Sequence, residues 1–227
     1  MTDIKTKNAS GLKLYNYYRS STSFRVRIAL ELKKLDYEYI PVHLLKAEQN
    51  QPEYRKINPM GGVPTLEHNH QFIAQSDAII EYIDEAFPQT HKLFPQDIFK
   101  KAKVREFCQI INADIHSYGN LKTLQYLEKT FAATDEVKNK WVQDFFMQGL
   151  RACEIILQKS AGQYCFGDTI TAADCFLIPL IVTSKRFSVD LSEFKYINLV
   201  FDNCTNLTEF QKAHPFKQMD TPEELRT

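Results

Sequence analysis

The stretch "YRSSTSFRVRIAL", Tyr18–Leu30, marks the point where the chain changes from one kind of structure to another. Before it, "LKLYNYY" (12–18) has the apolar and aromatic content of a β-strand. From Ser21 onward, apolar residues recur at helical spacing over 24–35. The sequence therefore predicts a strand followed directly by a helix.

Three hydroxyl residues lie at this junction: Ser20, Ser21 and Thr22. A hydroxyl in this position can accept a hydrogen bond from a free backbone N–H group of the first helical turn. It can also help to hold an anion there, because the helix dipole is positive at that end. The local pattern leaves both roles open, a helix cap or an anion site.

The next segments complete a small sheet. "YEYIPVHL" (37–44) is typical of a second strand, and "VPTLEHNHQFIA" (63–74) of two strands around a polar turn. "SDAIIEYIDEAF" (76–87) predicts a helix that Ser76 caps. A helix joins the first two strands, so we expect them to be parallel, whereas the last two form an antiparallel hairpin. A mixed four-stranded sheet covered by helices accounts for this order.

Beyond residue 88 the composition changes. "PQTHKLFPQD" (88–97) has two prolines and little periodicity, which predicts a linker. The predicted helices that follow cover about 98–118, 119–131, 135–160, 171–187 and 193–213. The fold class is therefore α/β plus all-α, with domains at 12–87 and 98–227. We expect the sheet to be confined to residues 12–75.

Composition excludes some functions. The 227 residues include 28 basic and 28 acidic side chains, and this balance argues against a nucleic acid partner. The five cysteines have neither CxxC nor metal-ligand spacing, so we expect reduced core thiols and no metal. The first residues are polar, and no apolar run approaches the length of a membrane span. These features predict a cytoplasmic protein that binds no membrane.

Three local features could belong to a site. Thr171 and Asp174 have the spacing of a capping box, which we favour over a catalytic role for the aspartate. The Val63–Pro64 peptide opens a strand, either as a plain strand entry or with unpaired backbone groups that a ligand could use. Gln75 and Ser76 stand at a helix start, which is either a simple cap or a carboxylate site.

Taken together, these features resemble a known family. "RSSTSFRVRIAL" is similar to Arg-Ser-Ser-Cys-x-Trp-Arg-Val-Arg-Ile-Ala-Leu, the signature of the zeta-class glutathione transferases, which are the maleylacetoacetate isomerase family. Further matching segments are "INPMGGVPTL", "QSDAIIEYIDE", "LFPQD", "YCFGDTITAADCFLIP", "RFSVDL" and "HPFKQMDTPEELR". The resemblance runs from about residue 12 to the end. It implies a thioredoxin-like N-terminal domain, a helical C-terminal domain, a homodimer, and glutathione as cofactor.

The resemblance also implies roles for individual residues. Glutathione would be contacted by Ser20, Ser21, Thr22, Ser23, Phe24, Arg25, Gln49, Val63, Gln75, Ser76, His116, Asn120, Leu121 and Lys122. Among these, Ser20, Ser21 and Thr22 would be catalytic, and Arg19 and Arg186 would bind a dicarboxylic keto acid substrate. Relatives usually have cysteine, glutamine and serine where this chain has Thr22, His116 and Lys122.

The implied chemistry requires a thiolate. An unperturbed thiol has a pKa of about 8.5, and lowering it by about two units is worth roughly 2.7 kcal/mol. A hydroxyl donor and the positive end of a helix could supply this, so one hydroxyl would cap the helix and another would hold the sulfur. The implied reaction is thiolate addition to the cis double bond of maleylacetoacetate, rotation, and elimination to fumarylacetoacetate. Two competing interpretations are a general transferase acting on α-haloacids or xenobiotics, and a non-catalytic binding module.

Overall fold

In the computed structural model, which describes residues 10–227, the first part of the chain forms a four-stranded sheet. Its strands are β1 (Leu12–Asn16), β2 (Tyr37–Pro41), β3 (Thr65–His68) and β4 (Gln71–Ala74), in the order β2-β1-β3-β4. β1 and β2 are parallel, whereas β3 is antiparallel to β1 and to β4. The predicted mixed sheet is confirmed.

The first two strands are shorter than the predicted 12–18 and 37–44. β1 ends at Asn16, whose side-chain amide turns back to donate to the carbonyl of Leu14 across 3.1 Å. β2 ends at Pro41, and the backbone N–H of Val42 makes one further hydrogen bond to β1, to the carbonyl of Asn16 across 2.8 Å. The helices of this part are α1 (Ser21–Leu32), α2 (Pro52–Ile57) and α3 (Ser76–Ala86), with 3₁₀ turns at Leu44–Lys46 and Glu48–Asn50.

The rest of the chain is helical, as predicted. Its elements are α4 (Ile98–Gln109), a π-helical segment (Ile110–Ile115), α5 (His116–Gly119), α6 (Leu121–Phe131), α7 (Asp135–Ser160), α8 (Ala172–Arg186), α9 (Lys195–Thr205), α10 (Thr208–Ala213), and 3₁₀ turns at Pro215–Lys217 and Glu223–Leu225. Within residues 10–227, no strand of the sheet lies beyond residue 74. The expectation that the sheet is confined to 12–75 therefore holds for that range.

The predicted continuous helix over 98–118 is interrupted. The π-helical segment follows α4 and packs closely against α7 at a glycine: a Cβ atom on Gly149 would lie 2.2 Å from Cγ1 of Ile115. In the same way, a Cβ atom on Gly119 would lie 2.6 Å from Cζ of Phe146. Because nonbonded atoms cannot approach this closely, a side chain at either position would force Ile115 or Phe146 to shift, so both glycines favour these close contacts with α7.

The capping box at the start of α8 is confirmed. The backbone N–H of Thr171 donates to Oδ2 of Asp174 across 2.8 Å. The other carboxylate oxygen, Oδ1, accepts from the backbone N–H of Cys165 across 2.8 Å. Asp174 is fully buried, and burial raises the pKa of its carboxyl group above the ordinary value. Both oxygens therefore hold backbone groups, which supports the structural role.

The chain forms two compact units. Among the described residues, the first unit comprises 10–92 together with Thr208–Thr227, and the second unit is Leu93–Leu207. The boundary falls inside the predicted linker 88–97, but the last twenty residues belong to the first unit rather than to the predicted domain 98–227. The reason is physical: α10 packs against α1.

The described residues bear on three further expectations. All five cysteines are buried as free thiols. Across residues 10–227, we find no cluster of three or more His, Cys, Asp or Glu side chains that could hold a metal ion. No helix in this same range has the length and apolar content needed to cross a membrane.

Candidate functional site

Two of the hydroxyl residues at the start of α1, Ser20 and Thr22, form a hydrogen-bonded chain to Val63. Ser20 is the N-cap, and its Oγ accepts from the backbone N–H of Ser23 across 3.2 Å. Oγ of Ser20 also lies 2.9 Å from Oγ1 of Thr22, and Thr22 donates to the carbonyl of Val63 across 2.9 Å. A hydroxyl has one proton, so Ser20 is the donor in its contact with Thr22. In this arrangement the protons of Ser20 and Thr22 are both donated within the protein.

The peptide before Pro64 is cis, and the carbonyl of Val63 has a protein partner. Of the two alternatives left open for this peptide, unpaired backbone groups do not apply to the Val63 carbonyl, because the Thr22 hydroxyl occupies one of its two lone pairs. One lone pair remains for a further donor. This contact joins the start of α1 to the segment that enters β3.

The start of α3 differs from the prediction that Ser76 caps it. The N-cap is Gln75, which has a φ of 74°, a conformation that is strained for a residue with a side chain. Ser76 is the first helical residue and 3% exposed, and its Oγ accepts from Nη1 of Arg25 across 3.2 Å. The Ser76 hydroxyl is thus held against α1, beside the positive end of α3.

Two predicted glutathione contacts have buried polar atoms without a partner among residues 10–227. These atoms are Oγ of Ser23 and Oε1 of Gln49. An unpaired buried polar atom is unfavourable by about 1–3 kcal/mol, so each of these atoms favours a ligand that supplies the missing hydrogen bond. Both side chains therefore retain an unused hydrogen-bonding atom within the part of the chain that the structure describes.

The flanking predicted residues differ in exposure. Arg19 is exposed, whereas Phe24 is 1% exposed and packs edge-on against His214 with ring centroids 5.9 Å apart. The Phe24 side chain therefore belongs to the core of the first unit, and only its backbone is available near the start of α1.

Tyr15, on β1, is a further candidate, beside the serines, for the hydroxyl that donates to the sulfur. Its hydroxyl donates to Oε2 of Glu67 across 2.9 Å. Burial and this hydrogen bond raise the pKa of Tyr15 to about 12. The tyrosine proton is thus both occupied and hard to remove, which favours the serines.

The remaining predicted residues lie in the second unit. His116 follows the π-helical segment, and Asn120 is the N-cap of α6, accepting from the backbone N–H of Thr123 across 2.8 Å. Leu121 and Lys122 are the first two residues of α6. The structure therefore brings these four predicted residues together on one short, irregular stretch.

Arg186 is the last residue of α8, with its guanidinium 4.8 Å from the ring centroid of Phe187.

Sequence reasoning missed two other residues, Arg27 and Asp220, whose side chains hold the backbone before Ser20. The second arginine of "FRVRIAL" is a signal for Arg27, whereas nothing in the pattern singles out Asp220.

The fold and the α1 junction define the class of protein. Residues 10–85 match the family described as "Glutathione S-transferase, N-terminal domain". Among curated proteins, the maleylacetoacetate isomerase of Mus musculus is 42% identical, with 94% of this chain and 97% of the relative covered. The zeta-class glutathione S-transferase of Euphorbia esula is also 42% identical, over 97% of both chains. This chain belongs to the zeta-class glutathione transferases, the maleylacetoacetate isomerase family, and hence to a family of enzymes.

Solved structures support the same family assignment. The holo structure of a maleylpyruvate isomerase, described as a bacterial zeta-class transferase, has a TM-score of 0.90 and 41% identity, covering 92% of this chain and all of the other. A maleylacetoacetate isomerase from Anaeromyxobacter dehalogenans 2CP-1, with glutathione bound in its active site, has a TM-score of 0.84 and 36% identity, covering 93% and 98%. Another structure of that protein contains dicarboxyethyl glutathione and citrate in the active site.

Proposed function

We propose that this protein is a glutathione-dependent isomerase that converts maleylacetoacetate to fumarylacetoacetate in the breakdown of tyrosine and phenylalanine. The observation that carries the proposal is the hydroxyl chain from Ser20 through Thr22 to the carbonyl of Val63. We also propose that the enzyme works in the cytoplasm as a homodimer. These last two statements follow from the family resemblance.

Glutathione would supply the thiolate that adds to the cis double bond of the substrate and leaves after rotation. The chain's own residues fit this group at several points. Ser23 and Gln49 offer unpaired buried polar atoms, and Val63 offers backbone groups at the strand entry. Ser76, at the positive end of α3, would bind the γ-glutamyl carboxylate with Gln75.

The thiolate would be held at the positive end of α1. There the backbone N–H groups of the first turn and a serine hydroxyl favour the charged form of the sulfur. We assign the donating hydroxyl to Ser21 because it is the first residue of α1, at the positive end of the helix, where the family resemblance places the glutathione sulfur. Ser20 then caps the helix, and Thr22 holds it against the Val63 peptide.

The substrate would be oriented by positive charge. Maleylacetoacetate carries two carboxylates, and an arginine fork binds a carboxylate with two parallel hydrogen bonds. Arg19 is exposed next to the hydroxyl chain, and Arg186 lies at the end of α8. On the strength of the family resemblance, we propose that these two arginines bind the carboxylates and that His116, Asn120, Leu121 and Lys122 contact glutathione.

A second candidate keeps the same thiolate but changes the substrate. A relative of comparable similarity is a maleylpyruvate isomerase, and maleylpyruvate is also a cis-unsaturated dicarboxylic keto acid. Two less favoured functions are a general transferase acting on α-haloacids or xenobiotics, and a non-catalytic binding module. Buried unpaired atoms at Ser23 and Gln49 speak against the binding module, because a protein without a ligand there has no use for them.

A coupled assay tests the proposal. Purified protein is given maleylacetoacetate, maleylpyruvate or an α-haloacid, each with and without glutathione, and the product is followed spectroscopically. We expect turnover of maleylacetoacetate only with glutathione, and at least a tenfold loss with Ser21→Ala. Ser192→Ala, an exposed loop serine, is the matched control. The absence of both retention on immobilised glutathione and turnover of any substrate would favour the binding module.

A further inference from the structure

Arg27, in the middle of α1, is completely buried and binds oxygen atoms from separate parts of the first unit. Its Nε donates to the carbonyl of Ala213 across 3.0 Å, and its Nη1 donates to Oδ1 of Asn16 across 3.0 Å. Nη2 donates to the carbonyl of Tyr18 across 3.0 Å, and Nη1 also reaches the carbonyl of Tyr17 at 3.4 Å. One guanidinium thus joins the end of β1, the residues before the hydroxyl chain, and α10.

Asp220 holds the same backbone from the other side. Its Oδ2 accepts from the backbone N–H of Tyr18 across 2.9 Å, and its Oδ1 accepts from the hydroxyl of Tyr39. Both polar groups of the Tyr18 backbone are therefore fixed, the N–H by Asp220 and the carbonyl by Arg27. Only the single residue Arg19 separates Tyr18 from Ser20.

The link continues directly to the helix cap. The backbone N–H of Ser20 donates to the carbonyl of Tyr17 across 3.0 Å, and this is the carbonyl that Arg27 also approaches. The position of the Ser20 peptide is therefore set by the turn at Tyr17 and Tyr18. The backbone of this turn is held in place by Arg27 and Asp220.

The segment that carries Asp220 is braced by its own hydrogen bonds. Thr221, 2% exposed, donates from its hydroxyl to the carbonyl of Pro215 across 2.6 Å and from its backbone N–H to Gln218 across 3.1 Å. Nε of Arg226 donates to the carbonyl of Thr221 across 2.9 Å. The carboxylate is thus presented by an ordered turn rather than by an isolated side chain.

We propose that Asp220 is a positioning residue for the site at the start of α1: through the Tyr18 backbone, it sets the placement of Ser20 and of the first N–H groups of the helix. The inference rests on the proposed function, because the placement matters if those groups hold a thiolate. Stabilisation of an anion at a helix start depends on the first turn and decays within it. A displacement of the cap by about 1 Å is therefore enough to weaken catalysis.

The test is Asp220→Asn, which keeps the shape of the side chain but removes one acceptor oxygen and the charge. In the full-length protein, the thiol of bound glutathione is titrated by ultraviolet absorbance. We expect the thiol pKa to rise by about one unit, with about a fivefold fall in kcat and a KM for glutathione within about twofold of the parent. Asp202→Asn, on the exposed face of α9, is the matched control and should change neither quantity.

A second readout does not depend on glutathione. Amide hydrogen exchange of the free protein, followed by mass spectrometry, should be faster in Asp220→Asn for the peptide that covers Tyr18–Ser23 than for the peptides of α8. If the parent protein binds no glutathione, the proposed function is refuted, and the exchange of Tyr18–Ser23 alone decides on the positioning role.

Two results would overturn the inference. One is a lower thermal midpoint of Asp220→Asn with an unchanged thiol pKa, which would mean that Asp220 acts on stability only. The other is unchanged exchange over Tyr18–Ser23. If Asp220→Asn does not fold, Asp220→Glu replaces it: the carboxylate is kept but displaced, so we expect a smaller shift in the same direction, and no shift would contradict the positioning role.

Discussion

The hydroxyl of Thr22 donates to the carbonyl of Val63 across 2.9 Å, which fixes the first turn of α1 to the peptide that enters β3. Relatives that the sequence resembles usually have cysteine at this position. A thiol is a weak donor, so cysteine makes this contact less well, whereas threonine makes it with an ordinary hydrogen bond. The replacement thus strengthens a structural contact at the predicted thiolate site.

The first prediction concerns catalysis at Thr22. If glutathione supplies the only nucleophile, Thr22→Cys should change kcat/KM by no more than about tenfold, or roughly 1.4 kcal/mol. Thr22→Val keeps the volume but removes the hydroxyl, so it should lower the free energy of unfolding by about 1–2 kcal/mol. Steady-state kinetics and urea unfolding measure the two effects. A thousandfold gain in the cysteine variant would show that the native protein has lost its parent activity.

Ser76 gives the second prediction. Ser76→Ala removes a hydroxyl that stands at the positive end of α3 and accepts from Arg25. Glutathione affinity should fall by about 1–3 kcal/mol, because a charge-assisted hydrogen bond to the ligand carboxylate is lost. Isothermal calorimetry checks this, with Ser192→Ala as the control. Unchanged affinity would leave Ser76 a purely structural partner of Arg25.

The third prediction separates serine from tyrosine activation. Tyr15→Phe should leave the pKa of bound glutathione unchanged, since the Tyr15 hydroxyl is occupied by Glu67. Ser21→Ala should raise that pKa, and Ser20→Ala should mainly lower stability, by about 1 kcal/mol, through loss of the cap. Ultraviolet titration of each variant gives the answer. The assignment to serine fails if Tyr15→Phe is the only variant that shifts the pKa of the glutathione thiol.

Glu67 allows a prediction about pH. Burial by itself raises the pKa of its carboxyl group, but the hydrogen bonds from Lys13 and Tyr15 outweigh burial, and the pKa lies below the ordinary value. As the pH falls, the unfolded chain therefore takes up the proton first. The ionised Glu67 carboxylate therefore stabilises the folded state at neutral pH, and this contribution is lost as the pH falls below about 4.

Glu67→Gln should accordingly lower the free energy of unfolding by about 1.5–3 kcal/mol at neutral pH and much less in acid. Urea unfolding at several pH values between neutral and acid measures the difference. Glu53→Gln, whose side chain is 82% exposed, serves as the control. An equal loss at every pH would mean that packing, rather than charge, accounts for the effect.

The fifth prediction concerns Asp174. Because both carboxylate oxygens hold backbone N–H groups at a buried site, Asp174→Ala should lower the free energy of unfolding by about 3 kcal/mol. Glutathione affinity of the folded variant should stay within about twofold. Asp202→Ala is the exposed control. A variant with normal stability and no turnover would instead assign Asp174 a catalytic role.

Much of the fold could be predicted because it is encoded in residue types. Apolar spacing identified the strands and helices, and the capping box at Thr171 is a short-range pattern whose two partners are three residues apart. The π-helical segment could not be predicted: Ile115 at its end packs against Gly149 of α7, more than thirty residues away, and such a contact leaves no signal in the local sequence. The positive φ of Gln75 had no signal either, since glutamine rarely adopts it.

The candidate site could be predicted only where side chains carry the chemistry. The hydroxyls and the Gln–Ser pair could be read from the residues and the family resemblance, but the bond from Thr22 to Val63 depends on where the β3 entry lies. The role of Arg27 escaped prediction for a simpler reason. Its acceptors at Tyr17, Tyr18 and Ala213 are backbone carbonyls, and every residue type has one.

Because residues 208–227 pack in the first unit, that unit cannot form all its contacts until the C-terminal residues have been translated. Domains generally fold as units while the chain is made from its N-terminus. Here Tyr18, in the turn before Ser20, acquires its partner Asp220, and Arg27 acquires its partner Ala213, only after the whole of the second unit has been synthesised. The first unit, which carries the proposed thiolate site, can therefore complete its hydrogen bonds only after the second unit has been made.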